Sequence, residues 1–182
     1  SVGDARFTWE YDEGRARLLS LYQKGKDKQW DAESSIDWSL DVDPNNPIGI
    51  PDEFHPLFGS PVWESADEKR RAEFRQHNQA WNLSQFMHGE QGALICAAKI
   101  VEVVPDMDAK FYAATQTMDE ARHVEAFAKF LQEKVGLVYP INPNLSVLLQ
   151  DTLNDSRWDM TYLGMQVLIE GLALAAFGTM RD

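Results

Sequence analysis

Between Ser65 and Pro105 no proline and no cluster of glycines interrupts the chain. A stretch of about 40 residues free of helix breakers predicts one long helix. Ser65 is the expected N-cap, with acids in the first turn of SADEK. Such a helix carries an apolar stripe of Leu83, Phe86, Met87, Leu94, Ala97 and Val101 at helical spacing, and that stripe must be covered by other helices. Pro105-Asp106 forces a break, and a second helix is expected from about Asp106 to Lys134, closed by Gly136 as its C-cap. YPINPN then reads as a connection, followed by a short helix near residues 145–153 and another from about Ser156 to the end. No strand periodicity and no internal repeat competes with this reading, so the expected class is all-α, a helical bundle.

Upstream, residues 10–30 suit a charged helix whose packing side is Leu18, Leu19, Leu21 and Tyr22. Residues 31–65 hold Pro44, Pro47, Pro51, Pro56 and Pro61 and read as an extended arm, because proline disfavours helix interiors and central strands. Phe54, Leu57, Phe58 and Trp63 are its expected anchors. The expected division is therefore 1–65, an N-terminal helix and arm, and 66–182, the bundle.

The overall charge narrows the partners. The net charge of −12 and pI of about 4.7 repel a nucleic-acid backbone. A lone cysteine, Cys96, excludes an internal disulfide and fits a reducing compartment. The N-terminal SVGDARFTWE has no signal-peptide pattern. The expectation is a cytoplasmic protein.

Glu90 lies as far before Pro105 as Glu120 lies after it. At ~1.5 Å per residue each sits about 22 Å from the bend, so an antiparallel hairpin sets them face to face. The same count across the next bend brings Glu170 to that level. Glu170 is also the only charge in residues 160–180, MTYLGMQVLIEGLALAAFGTM. Burying an unpaired carboxylate costs several kcal/mol, so it needs a partner or stays protonated. A membrane span of this length is rejected, since Glu170 sits at its centre and Gln166 and Thr161 add polarity. His123 follows Glu120 at the spacing that places both on one helix face. Glu125, His88 and Arg122 point elsewhere on their helices, and no lysine or arginine shares the inner stripes. A Glu-x-x-His pair alone is most often solvated surface, and one buried Glu is more often salt-bridged than metal-bound. Three acids and a histidine on one interior layer favour bound cations as the neutraliser.

Two helices giving one Glu each and two giving Glu-x-x-His are the pattern of the di-iron carboxylate bundles. In "FMHGEQGALICAAKIVE", "MDEARHVEAF" and "MQVLIEGLAL" the chain resembles the ferritin-like di-iron oxygenases, including the hydroxylase subunits of bacterial multicomponent monooxygenases and the p-aminobenzoate N-oxygenases. The stretch "LYQKGKDKQWDAESSIDW" is similar to their leader. The resemblance implies iron ligation by Glu90, Glu120, His123 and Glu170, with Glu120 or Glu170 bridging two ions and Asp119 bonded to an opposite ligand histidine. It implies dioxygen-dependent hydroxylation or N-oxygenation of a small organic substrate, and a homodimer; manganese suits the same ligands. Phe127 stands where ribonucleotide reductase small subunits usually carry a radical tyrosine, and Leu174 where the multicomponent hydroxylases often carry a threonine, so an N-oxygenase or an uncharacterised hydroxylase fits better. The second Glu-x-x-His is expected about 20 residues past Asp182, on the next helix. The chain is thus expected to supply three of four core helices, as a fragment or as one half of a two-chain site, with weak metal affinity alone. A ferritin-type metal-storing bundle and a metal-free interaction bundle are the other two readings.

Overall fold

The computed structural model describes residues 5–12, 14–155 and 157–181. Among them there is no strand. The elements are α1 (Ala16–Asp27), α2 (Pro61–Ser65), α3 (Glu68–Val103), α4 (Met107–Phe130), α5 (Pro143–Asn154), α6 (Trp158–Tyr162) and α7 (Glu170–Arg181). Two stretches wind more loosely, with i→i+5 bonding: Leu131–Val135 ends α4, and Leu163–Ile169 joins α6 to α7. No helix among the described residues is long and apolar enough to cross a membrane.

The long helix α3 starts at Asp67, whose side chain accepts from the Arg70 N–H, and not at Ser65. Ser65 instead ends the short helix α2, which Ser60 caps and Pro61 opens. The proline-rich segment therefore contains a turn of helix that its prolines allow only at the first position. Asp106 accepts from the Ala109 N–H and restarts the chain as α4. Gly136 closes that limb at φ 74, where a Cβ would be strained. The expected boundaries at Pro105 and Gly136 are those observed. Helix α1 begins at Ala16, well inside the predicted 10–30. Ser156, the expected start of the last helix, lies outside the described residues, as do the chain's first four residues and Asp182.

Three apolar clusters run along α3. Ala80 and Leu83 pack with Leu131 and Val135. Ala93 and Cys96 pack with Leu149 and Met165. Ile100 packs with Val104 and Ala113 beside the α3–α4 turn. Helix α5 crosses α3 closely at Gly92, where a Cβ would come within 2.4 Å of Leu149 Cδ2. Glu90 falls in the gap between the first and second clusters, so the fold leaves one polar layer inside an otherwise apolar stack.

Helix α1 lies on α4 through its half-buried Leu18, Leu21 and Tyr22, the last stacked on Phe111 at 5.3 Å. The Asp108 carboxylate accepts from the Gly14 and Arg15 N–H groups, at 3.1 and 2.8 Å, and ties down the entry to α1. Of the four arm anchors expected, Trp63 is buried, packed between His55, Phe58 and Phe74. Leu57 is half-buried and Phe58 half-exposed, whereas Phe54 is mostly exposed. Ile48 reaches the first core cluster in their place.

The final segment departs from the expected buried core helix. Val167, Leu168, Leu172 and Leu174 are each more than half exposed. Among the described residues of this stretch only Thr161 and Met165 are buried, the former donating to the Thr152 carbonyl at 3.2 Å.

Candidate metal centre

Helices α3 and α4 carry Glu90 and Glu120 at the same height, and one turn along α4 is His123. Its Nδ1 lies 3.2 Å from Glu90 Oε2 and 3.2 Å from Glu120 Oε2. The ligand-type atoms of these three residues fall within 4.8 Å of one another, a spacing that one divalent cation can span. The Glu90 and Glu120 side chains are 13% and 7% exposed, and that of His123 is 39% exposed. Among the described residues no lysine or arginine ion-pairs with either glutamate; His123 is their counter-charge.

The electrostatics follow from this crowding. Burial and the neighbouring Glu90 raise the Glu120 pKa, against the opposing pull of His123. The two carboxylates in turn hold the imidazole proton, raising the His123 pKa to about 10. Two acids sharing one proton-bearing ring form a set of groups that a cation can take over by displacing that proton.

Glu170 is set apart from the trio. It is half-buried, and burial together with the charge on Glu120 raises its pKa. It lines a largely apolar groove of about 320 Å³ with Glu90, Phe86, Leu148 and Leu172. The structure thus brings Glu90, Glu120 and His123 together and leaves Glu170 within electrostatic range on the groove side.

Among the described residues Asp119 meets no histidine, and the opposite ligand histidine that the resemblance implies is not one of them. Its carboxylate pairs with the buried Arg122, whose guanidinium also donates to Gln29 Oε1 and the Trp30 carbonyl. Arg122 therefore faces the segment after α1, and none of its partners belongs to the trio. His88 bonds the Tyr139 carbonyl at 2.9 Å, away from the layer.

Several contacts around the trio were not evident from the sequence. Gln116 Nε2 donates to Glu120 Oε1 at 3.4 Å and to Gln166 Oε1 at 2.5 Å. Gln116 precedes Glu120, and Gln166 precedes Glu170, by one helical turn each. That repeated Gln-x-x-x-Glu spacing is the signal that could have found the pair. Trp30 stacks on His123 at 6.2 Å and lies under Arg122 at 5.1 Å; it belongs to the leader-like stretch, but no periodicity there directs it to His123. Phe86 stacks on Phe127 at 6.3 Å, one turn beyond the glutamate on α3 and the histidine on α4, and closes that end with apolar surface. A cavity of about 380 Å³ opens on the other side, where Glu120, His123 and Trp30 meet Lys24, Lys28 and Arg122.

Residues 12–157, about four-fifths of the chain, match the family model for the p-aminobenzoate N-oxygenase AurF. No curated protein and no solved structure matches it. The matched stretch contains Glu90, Glu120 and His123 and ends before Glu170. The chain belongs to the p-aminobenzoate N-oxygenase family of ferritin-like di-iron oxygenases.

Proposed function

We propose that the layer formed by Glu90, Glu120, His123 and Glu170 holds iron and that the protein oxidises a small organic substrate with dioxygen. The single observation carrying this is the pairing of the buried Glu120 and the largely covered Glu90 with one imidazole and, among the described residues, no lysine or arginine. Two hard oxygen donors and one nitrogen donor suit iron or manganese. When bound, the metal supplies the reduction of dioxygen that no side chain here can perform.

The chain's own residues set the conditions for that chemistry. His123 gives up its shared proton to become a neutral donor. Gln116 fixes the Glu120 carboxylate from below through the 3.4 Å contact. Phe86 and Phe127 keep water from one end of the layer. The cavity beside His123 takes the substrate, with Lys24 and Lys28 at its wall suited to an anionic group such as an aromatic carboxylate. An amine at the other end of such a molecule would then face Glu120 and His123. Glu170, held toward its protonated form by burial, is the fourth donor of the layer and approaches from the groove side.

The test is a single-turnover reaction. The protein is loaded with Fe(II) without oxygen, given an aromatic amine carrying a carboxylate, and exposed to isotopically labelled dioxygen. Transfer of the label to the amine nitrogen or to a ring carbon is expected. Iron uptake and oxidation without any labelled organic product would replace this reading with metal storage.

A further inference from the structure

A second cavity of about 380 Å³ lies beside the α3–α4 turn, against α1, α4 and α6. Two residues, Tyr112 and Gln116, wall both this chamber and the cavity that holds His123. The two spaces differ in chemistry. The first has Lys24, Lys28 and Arg122 in its wall. The second is lined by Leu18, Ile100, Val104, Tyr112, Trp158 and Tyr162. Its charged groups are Arg15, Asp106 and Asp159, and Arg15 is paired with Asp106 at 3.5 Å. The acids outnumber the single base, so an anion has no partner there.

Two polar groups stand out in this apolar wall. The Tyr112 and Tyr162 hydroxyls have no hydrogen-bond partner among the described residues, and the two rings are near enough for charge on Tyr162 to raise the Tyr112 pKa. Tyr112 is half-buried, whereas Tyr162 is exposed at the rim of the chamber. Two phenol groups in the wall of one mainly apolar chamber, neither bonded to a protein acceptor among the described residues, can each donate to an acceptor carried by a ligand. An apolar cavity of roughly 150 Å³ takes one benzene, so this chamber takes about two rings or one ring with a side group.

We propose that the chamber between α1, α3, α4 and α6 binds a neutral, mainly aromatic small molecule through its ring, with a carbonyl-type acceptor directed at the Tyr112 and Tyr162 hydroxyls. The site is distinct from the carboxylate layer and does not require metal. Its shared wall at Gln116, which also contacts Glu120, places the ligand one side chain from the layer.

Acetophenone and benzoate, nearly equal in shape but differing in charge, serve as probes, with a chelator present throughout. Binding is followed by the indole N–H resonance of Trp158, which lines the chamber, assigned with Trp158→Phe. Acetophenone is expected to shift that resonance saturably with a Kd of about 1 mM or tighter, and benzoate to bind at least ~10-fold more weakly. Ala109→Phe, which fills the chamber, should abolish the shift. Tyr162→Phe, which keeps the shape and removes one donor, should weaken binding about 5-fold. Melting curves of both variants verify that each is folded. Should acetophenone give no saturable shift, should benzoate bind equally well, or should a folded Ala109→Phe still bind, the proposal is overturned. Because metal is absent, none of these results bears on the oxygenase reading.

Discussion

Glu120 and Glu170 each follow a glutamine by one helical turn, and those two amides bond to each other at 2.5 Å. The helices around them are nonetheless packed very differently. On α3 and α4, the residues flanking the layer belong to continuous clusters, with Leu83, Leu131 and Ala93 buried. Around Glu170, Val167, Leu168, Leu172 and Leu174 lie open. The apolar content of residues 160–180 is the higher of the two, yet the described side chains of that stretch are the less buried. Hydrophobicity creates a demand for cover, and only neighbouring helices meet it. The three groups on α3 and α4 consequently form a fixed trio, while Glu170 borders a groove.

Stability should split along this line. Leu131→Ala removes a fully buried side chain and should cost about 3 kcal/mol in urea unfolding. Leu174→Ala, at 72% exposure, should change stability by less than about 0.5 kcal/mol. Equal costs would mean that α7 is covered in solution by something the fold described here does not provide. Gly92→Ala tests the crossing of α3 with α5: a Cβ within 2.4 Å of Leu149 should cost about 1–3 kcal/mol through overpacking. Leu149→Ala in the same chain should recover part of that loss.

A pH titration sharpens the comparison from the electrostatic side. In the metal-free protein the His123 pKa is raised to about 10 from its ordinary value near 6.5. Protonated His123 therefore stabilises the fold fully below about pH 6.5, and this contribution is lost as pH rises through 10. Solvent screening reduces its size, since the ring is 39% exposed. Unfolding free energy should fall over that window in the wild type and fall less in His123→Phe. The effect should be small, and Glu170→Gln should leave it nearly unchanged.

How far the sequence revealed this molecule depended on the kind of signal each region carried. Breakers at Pro105 and Gly136 and the apolar stripe of α3 are local, strong signals, so the hairpin and the equal heights of Glu90 and Glu120 could be counted out beforehand. The N-cap shifted from Ser65 to Asp67 because both are good caps and only the packing of Trp63 decides between them. The cover over His123 was not legible, because Trp30 arrives from a loop after α1 whose path no periodicity describes. The Asp119–Arg122 pair also escaped notice, since it depends on Gln29 and Trp30 receiving the same guanidinium. Glu170's lone charge marked it correctly as unusual, but not that its helix would stay half open.

Cation binding is the role proposed for the convergence of Glu90, Glu120 and His123. Manganese(II) reports this directly, because its electron paramagnetic resonance signal in solution is lost on binding. Titration of the protein at pH 7 should remove signal saturably, with about one proton released for each ion bound. Glu120→Gln and His123→Ala should each weaken that binding at least ~10-fold, the loss expected when a ligand is removed from so small a donor set. Unchanged manganese binding in both variants would contradict the account.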